Sequence, residues 1–117
     1  ITSSGNSYLI IKFSTPYTLH LDQTFTGASR YNISIYVDGE FGKFVRIGRY
    51  QSSAAGYFQE FTSELYIEFK TSILNAGSHN ISLYWYSLGD ATGANQLIFN
   101  NVIVDFPRTL YIEEISN

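Results

Sequence analysis

From Asn80 to Tyr86 the odd positions are Ile81, Leu83 and Trp85, and the even positions are Asn80, Ser82, Tyr84 and Tyr86. Successive side chains of a strand point to opposite faces, so this spacing predicts a strand with one oily face and one tyrosine-bearing face. The same pattern recurs over Tyr31–Val37, where Ile33, Ile35 and Val37 alternate with Asn32, Ser34 and Tyr36. It recurs again over Leu65–Phe69, where Leu65, Ile67 and Phe69 alternate with Tyr66 and Glu68. A plainly solvated second face would carry Thr, Lys and Glu. Tyrosine is large, stiff and apolar with one polar tip, and is enriched where proteins meet partners. The second face is therefore expected to meet something. Trp85 falls on the Ile81/Leu83 side and is expected in the core.

Read from the start, Ser7–Phe13 puts Leu9, Ile11 and Phe13 on one face, and Thr18–Phe25 sets Leu19 and Leu21 against His20 and Asp22. Thr26–Ser29 reads as a turn between Phe25 and Tyr31. Asp38-Gly39 is the strongest hairpin signal of the chain, with Phe41–Tyr50 as the return strand. A plain two-residue loop would pair Val37 with Glu40 and send Val45 and Ile47 outward. A longer loop, or a bulge near Gly42 or Gly48, returns them to the core face. Gln51–Ala55 reads as a loop. Gly56–Phe61 and Glu64–Ser72 read as strands broken at Thr62-Ser63, and Asn75–Ser78 as a turn. Asn80–Leu88 is the tryptophan strand, followed by a small-residue loop over Gly89–Asn95. Gln96–Asp105 is expected as a long strand ended by Pro107, and Thr109–Ile115 as the last one.

Roughly eight to nine short strands with regular turn signals and no helical period predict an all-β, antiparallel β-sandwich, and a jelly roll is favoured. The Cys…Trp…Cys spacing of antibody-type domains is absent, since the chain has no cysteine. At 117 residues it reads as one domain, 1–117, burying roughly two thirds of its unfolded surface. The net charge of −3, without a basic stripe, argues against nucleic acid, and apolar runs of strand length argue against membrane insertion by a helix. The chain opens at Ile1 without an initiator methionine, which suggests a processed form or a fragment. Its richness in Tyr, Ser, Asn and Thr leans toward an extracellular or virion surface.

No catalytic constellation emerges. His20 and His79 are the only imidazoles, and no His-x-His or His-Glu-x-x-His exists, so no metal site is expected. His79 lies in a turn, where its ring nitrogens can bond loop carbonyls. Glu113 and Glu114 are neighbours on a strand and face opposite ways, and Glu60/Glu64 give no argument for a hydrolytic carboxylate pair. An oxygen-ligand calcium loop at Gly89-Asp90-Ala91-Thr92 lacks a dense Asp-x-Asp pattern and reads as an Asx turn. No Gly-x-Ser-x-Gly elbow is present, and the glycines precede no helix that could cradle phosphate. No cofactor is implied. Asn32-Ile33-Ser34 and Asn80-Ile81-Ser82 match the glycosylation acceptor by chance.

The run Leu74-Asn75-Ala76-Gly77-Ser78-His79, leading into Asn80–Trp85, resembles the C-terminal head domains of bacteriophage and other viral fibre or tail proteins. There a Leu-x-Ala-Gly-Ser/Thr-His turn opens an alternating strand with Trp. The Val37-Asp38-Gly39 hairpin and the closing Arg108–Ile115 segment fit the same pattern. Such heads are jelly-roll homotrimers, broadly similar to tumour-necrosis-factor and C1q domains. The resemblance implies a trimeric, non-enzymatic, receptor-binding module on a virion or extracellular surface, attaching to a host-surface glycan or protein. A three-fold interface would also bury Tyr36, Tyr66, Tyr84, Tyr86 and Tyr111. Tyr50 and Tyr57 flank the Gln51–Gly56 loop and are the candidate receptor contacts. Two rival readings stand beside this one. One is a monomeric carbohydrate-binding module of a secreted protein, with Tyr36, Tyr66 and Tyr84 as a row on one sheet. The other is a structural subunit of a surface filament or capsid.

Overall fold

The computed structural model describes residues 1–88, 95–99 and 109–116. The strands are β1 (Thr2–Ser3), β2 (Ser7–Leu21), β3 (Gly27–Val37), β4 (Glu40–Gln51), β5 (Gln59–Lys70), β6 (Gly77–Ser78), β7 (Ile81–Ser87), β8 (Gln96–Phe99) and β9 (Thr109–Ser116). The described residues contain no helix, and every strand pair is antiparallel. In one sheet β2 is the spine. β5 runs along one edge of it, and β9 and then β8 follow along the other. The second sheet has the order β4-β3-β7, and β1 with β6 forms a small ribbon. The two larger sheets pack as a β-sandwich.

The sandwich is held by the alternation. Leu9, Ile11 and Phe13 of β2 and Leu65 and Ile67 of β5 face Ile33 and Ile35 of β3 and Ile47 of β4. A second buried group, Leu19, Leu21, Phe25 and Tyr31, closes the far end. The extents of 55 × 30 × 18 Å describe two thin layers, which leaves both outer faces open.

The hairpin resolves the register question of β4. Asp38 and Gly39 have φ of 52° and 80°, the two positive values of a type I′ turn, and Val37 pairs with Glu40. The ladder then shifts between Ile35 and Tyr36. Phe41 is opposite Tyr36 and Lys43 opposite Ile35, so Gly42 is the extra residue of a bulge. Beyond it Val45 pairs with Ile33 and Ile47 with Tyr31 on the inner face. A Cβ on Gly42 would stand 2.7 Å from Cε2 of Phe69, whose ring packs on the core.

Several expectations are corrected. The segments read as two strands around Pro16 are one strand, β2. The N–H and C=O of Leu9 both face β5, so by alternation the nitrogen of Pro16 faces the other edge. Among the described residues the β9 pairing reaches Ser14 and the β8 pairing starts at Tyr17, so no described ladder bond needs the missing donor. Likewise β5 does not break at Thr62-Ser63, which pair with Thr18 and Tyr17. The turn expected at Thr26–Ser29 lies earlier: Phe25 N–H donates to the Asp22 carbonyl at 3.1 Å, and β3 already starts at Gly27. Trp85 is not in the core. It lies opposite Ile33 and meets Phe99 edge-on at 5.0 Å, but it is 55% exposed, on a strand that ends its sheet among the described residues. Of the strand expected over Gln96–Asp105, Gln96–Phe99 is seen, and the remainder lies outside the described residues.

A Gly→Ala change at a compatible site stabilises by about 0.4–1 kcal/mol. Gly42→Ala should instead destabilise by about 1–3 kcal/mol, because the new Cβ drives Phe69 off the core. Urea unfolding measures this, and in a Phe69→Ala background the penalty should largely vanish.

Candidate functional site

The outer face of the β4-β3-β7 sheet is the candidate site. The register sets its rows across the three strands. Phe41, Tyr36 and Ser82 form the row nearest the hairpin, Phe44, Ser34 and Tyr84 the next, and Arg46, Asn32 and Tyr86 the third. The rings brace one another. Tyr36 meets Phe41 at 5.8 Å and Tyr84 at 5.1 Å, both edge-on, and Phe41 meets Phe44 at 6.2 Å. Phe41 is 56% and Tyr84 55% exposed, so these are large apolar groups held rigidly in water.

In the third row Arg46 Nε donates to Asn32 Oδ1 at 3.0 Å, and Asn32 Nδ2 donates to the Tyr86 hydroxyl at 3.3 Å. Asn32 is buried, so its sequon is an internal bracket and not an acceptor on display. Arg46 also lies over the Phe44 ring at 5.6 Å. Beyond this row Arg30 pairs with Gly48 and Ala28 with Tyr50. Ala28, Arg30, Arg46, Gly48, Arg49 and Tyr50 line a shallow recess of about 380 Å³.

The structure divides the tyrosines singled out from the sequence. Tyr36, Tyr84 and Tyr86 share this face, whereas Tyr66 and Tyr111 lie on the β2 sheet, opposite Ser14 and Lys12. A row of Tyr36, Tyr66 and Tyr84 on one sheet therefore does not exist. Tyr66 donates to Glu68 at 2.9 Å, and Lys12 stands over the Tyr111 ring at 5.7 Å. The bond to Glu68 pushes the Tyr66 phenol up, and the charge of Glu113 does the same for Tyr111. These two rings belong to a charged lattice that includes Glu60, Glu64 and Glu68 of β5. Tyr50 and Tyr57 are both strongly exposed, Tyr50 at 75% in the recess. Sequence reading missed Phe41 and Phe44. They are three apart, which in a regular strand means opposite faces, and only the bulge puts both outside.

Two carboxylates serve as structural clamps. Asp38 Oδ2 and the Asn75 carbonyl lie 2.7 and 2.8 Å from the two ring nitrogens of His79. The Asn75 carbonyl only accepts, so the ring nitrogen facing it donates, and the Asp38 carboxylate on the other nitrogen favours the charged ring. The bond to Asp38 raises His79 above its ordinary 6.5, and the same bond lowers Asp38, helped by the Asn80 N–H at 2.8 Å. Glu114 Oε1 accepts from the Ser7 hydroxyl at 2.6 Å, the Ser4 hydroxyl at 2.7 Å and the Ser4 N–H at 2.8 Å. These bonds lower it from 4.5 to about 2. A carboxylate so held is a poor proton donor near neutrality. Glu113 faces the other side, opposite Ile10. His20 makes a surface contact with Glu60 at 3.4 Å. No group of His, Cys, Asp or Glu able to hold a metal converges among the described residues, and the Asp90 loop lies outside them. No helix among the described residues is long and apolar enough to cross a membrane. Compared with known proteins, the chain matches no family model, no curated protein and no solved structure.

The clamps set a pH profile. A raised His79 stabilises fully below pH 6.5, and its contribution is lost as pH rises through the folded value. Lowered Asp38 and Glu114 stabilise above their ordinary 3.8 and 4.5, and that contribution is lost as pH falls toward the folded values. The urea midpoint should therefore be highest between about pH 4.5 and 6.5 and decline on both sides. His79→Gln should flatten the alkaline decline, and Glu114→Gln should shrink the acid one. A wild-type midpoint that climbs steadily above pH 7 would contradict the charged ring.

Proposed function

We propose that this domain is a non-enzymatic attachment module of the viral-fibre-head kind, a homotrimer of jelly-roll sandwiches on a virion or extracellular surface that binds a host-surface glycan or protein. One observation carries the reading: the braced, exposed cluster of Tyr36, Phe41, Phe44 and Tyr84 on one outer sheet face. Interplanar angles of 74° and 83° at Tyr36 set its ring across those of Phe41 and Tyr84. A sugar-stacking platform needs coplanar rings. Edge-to-face rings pack as they do in a protein interior, which favours a second protein surface over a flat glycan row. Burying one such ring contributes about 1.5–3 kcal/mol, and association costs roughly 4–15 kcal/mol. A stable assembly therefore has to cover nearly the whole cluster. A closed trimer does so in every subunit and displays the receptor-binding loops in three copies, so weak contacts add through effective concentration.

Light scattering after size exclusion should give three times the 13.3 kDa chain mass, independent of concentration. Phe44→Ser with Tyr84→Ser should give the single-chain mass with an unchanged far-ultraviolet dichroism spectrum, since neither ring lies in the core. A wild-type monomer at every concentration would remove the trimer, and open-ended polymers would favour a filament subunit.

A further inference from the structure

Four of the seven Lys and Arg residues lie on the β4-β3-β7 sheet, and Lys12 and Lys70 lie on the other. Against a net charge of −3, the β4-β3-β7 sheet carries Arg30, Lys43, Arg46 and Arg49, and its strands hold a single acid, Glu40 at the hairpin. The acids Glu60, Glu64, Glu68 and Glu113 sit on the opposite sheet. Arg30, Arg46 and Arg49 form no ion pair among the described residues. Arg30 and Arg46 stand on the same outer face beside Gly48, with Ala28 next to it, and all four line the recess. The stem of Arg30 lies over Gly48, and the fit leaves no room for a side chain there. A Cβ on Gly48 would stand 2.9 Å from both Arg30 Cγ and the Ser29 carbonyl. Arg46 is oriented in advance: its Nε is tied to buried Asn32, which is tied to Tyr86, so its two terminal nitrogens remain for a ligand. A guanidinium fork fixed before binding is suited to a carboxylate or a sulfate.

We infer that the Arg30–Gly48–Arg46 recess is an anion subsite for an acidic glycan, a sugar bearing a carboxylate or a sulfate. This rests on the attachment reading above and gives its ligand class. The acid seats between the guanidinium groups, and Tyr50, the exposed ring at the rim, covers the apolar side of the sugar. The recess is short and adjoins an aromatic cluster, with no cationic track leading from it, so a long polyanion such as nucleic acid is not favoured. Arg30, Gly48 and Tyr50 lie at the end of the face away from Phe41 and the hairpin, and Arg46, over Phe44, marks the border with the aromatic cluster.

The test is a titration of the ¹⁵N-labelled protein with 3′-sialyllactose, lactose 3′-sulfate and plain lactose, read at the Nε–H signals of Arg30 and Arg46. Saturable shifts with either acidic sugar and none with lactose support the subsite, and the stronger of the two names the acid. Arg30→Met with Arg46→Met should weaken binding at least tenfold, and Arg46→Lys several-fold, because it keeps the charge and loses the fork. Both side chains are exposed, and an unchanged backbone spectrum reports an intact fold. Equal binding of a poly-glutamate peptide or of an oligonucleotide overturns the glycan assignment. Glycan or cell binding that survives the double substitution overturns the subsite and leaves the attachment reading standing. Absence of all glycan and cell binding by wild type removes both.

Discussion

A single inserted glycine decides what each face of the β4-β3-β7 sheet is for. The type I′ turn at Asp38-Gly39 is geometrically strict and fixes Val37 opposite Glu40. Carried on regularly, that register would turn Val45 and Ile47 to water and Phe44 and Arg46 to the core. The bulge at Gly42 reverses both assignments in one step. Core completion and construction of the aromatic–cationic face are thus one event, enforced where Phe69 fills the space a Cβ would need.

The two outer faces differ in kind. On the β2 sheet, tyrosines and lysines are matched with carboxylates and with each other, as at Tyr66–Glu68 and at Lys70 over Tyr8 at 4.2 Å. Such a face is satisfied by water and by itself, and its exposed pairs contribute little to stability. On the β4-β3-β7 sheet, rings brace rings and the arginines have no counter-ion among the described residues. Within one chain Arg46 is held by Asn32 and Arg49 lies over the Phe61 ring at 3.7 Å, but neither charge is neutralised by a carboxylate among the described residues. Large exposed apolar groups and unpaired guanidinium groups gain free energy only when something covers them.

One end of the sandwich is tied by charge. Asp38 and His79 join the β3–β4 hairpin to the turn before β7, and Glu114 gathers the serines of the N-terminal segment onto the last strand. Both clamps lie outside the apolar core, where burial contributes least, and both use ionised groups bonded to several partners at once. They hold the segments that the core does not grip.

The alternation of Ile33, Ile35 and Val37, and of Leu65, Ile67 and Phe69, was enough to determine an all-β chain with two layers, because side-chain direction in a strand has period two and needs no tertiary information. The Asp38-Gly39 turn and the need for one irregularity, a longer loop or a bulge near Gly42 or Gly48, were legible for the same reason, since Val45 and Ile47 had to be restored to the core; the structure decided for Gly42. The gap left between Phe13 and Thr18 and the break set at Thr62-Ser63 misled because local signals do not reveal how far a strand is carried by its paired neighbours. Trp85 misled because period gives the face of a strand, not its place in the sheet, and β7 ends its sheet among the described residues. The separation of Tyr66 and Tyr111 from Tyr36, Tyr84 and Tyr86, and the meeting of Arg30 with Arg46 across Gly48, were decided by strand order alone. Neighbourhood across strands is a long-range property, set by which hydrophobic faces close on one another, and no local stretch of the chain encodes it.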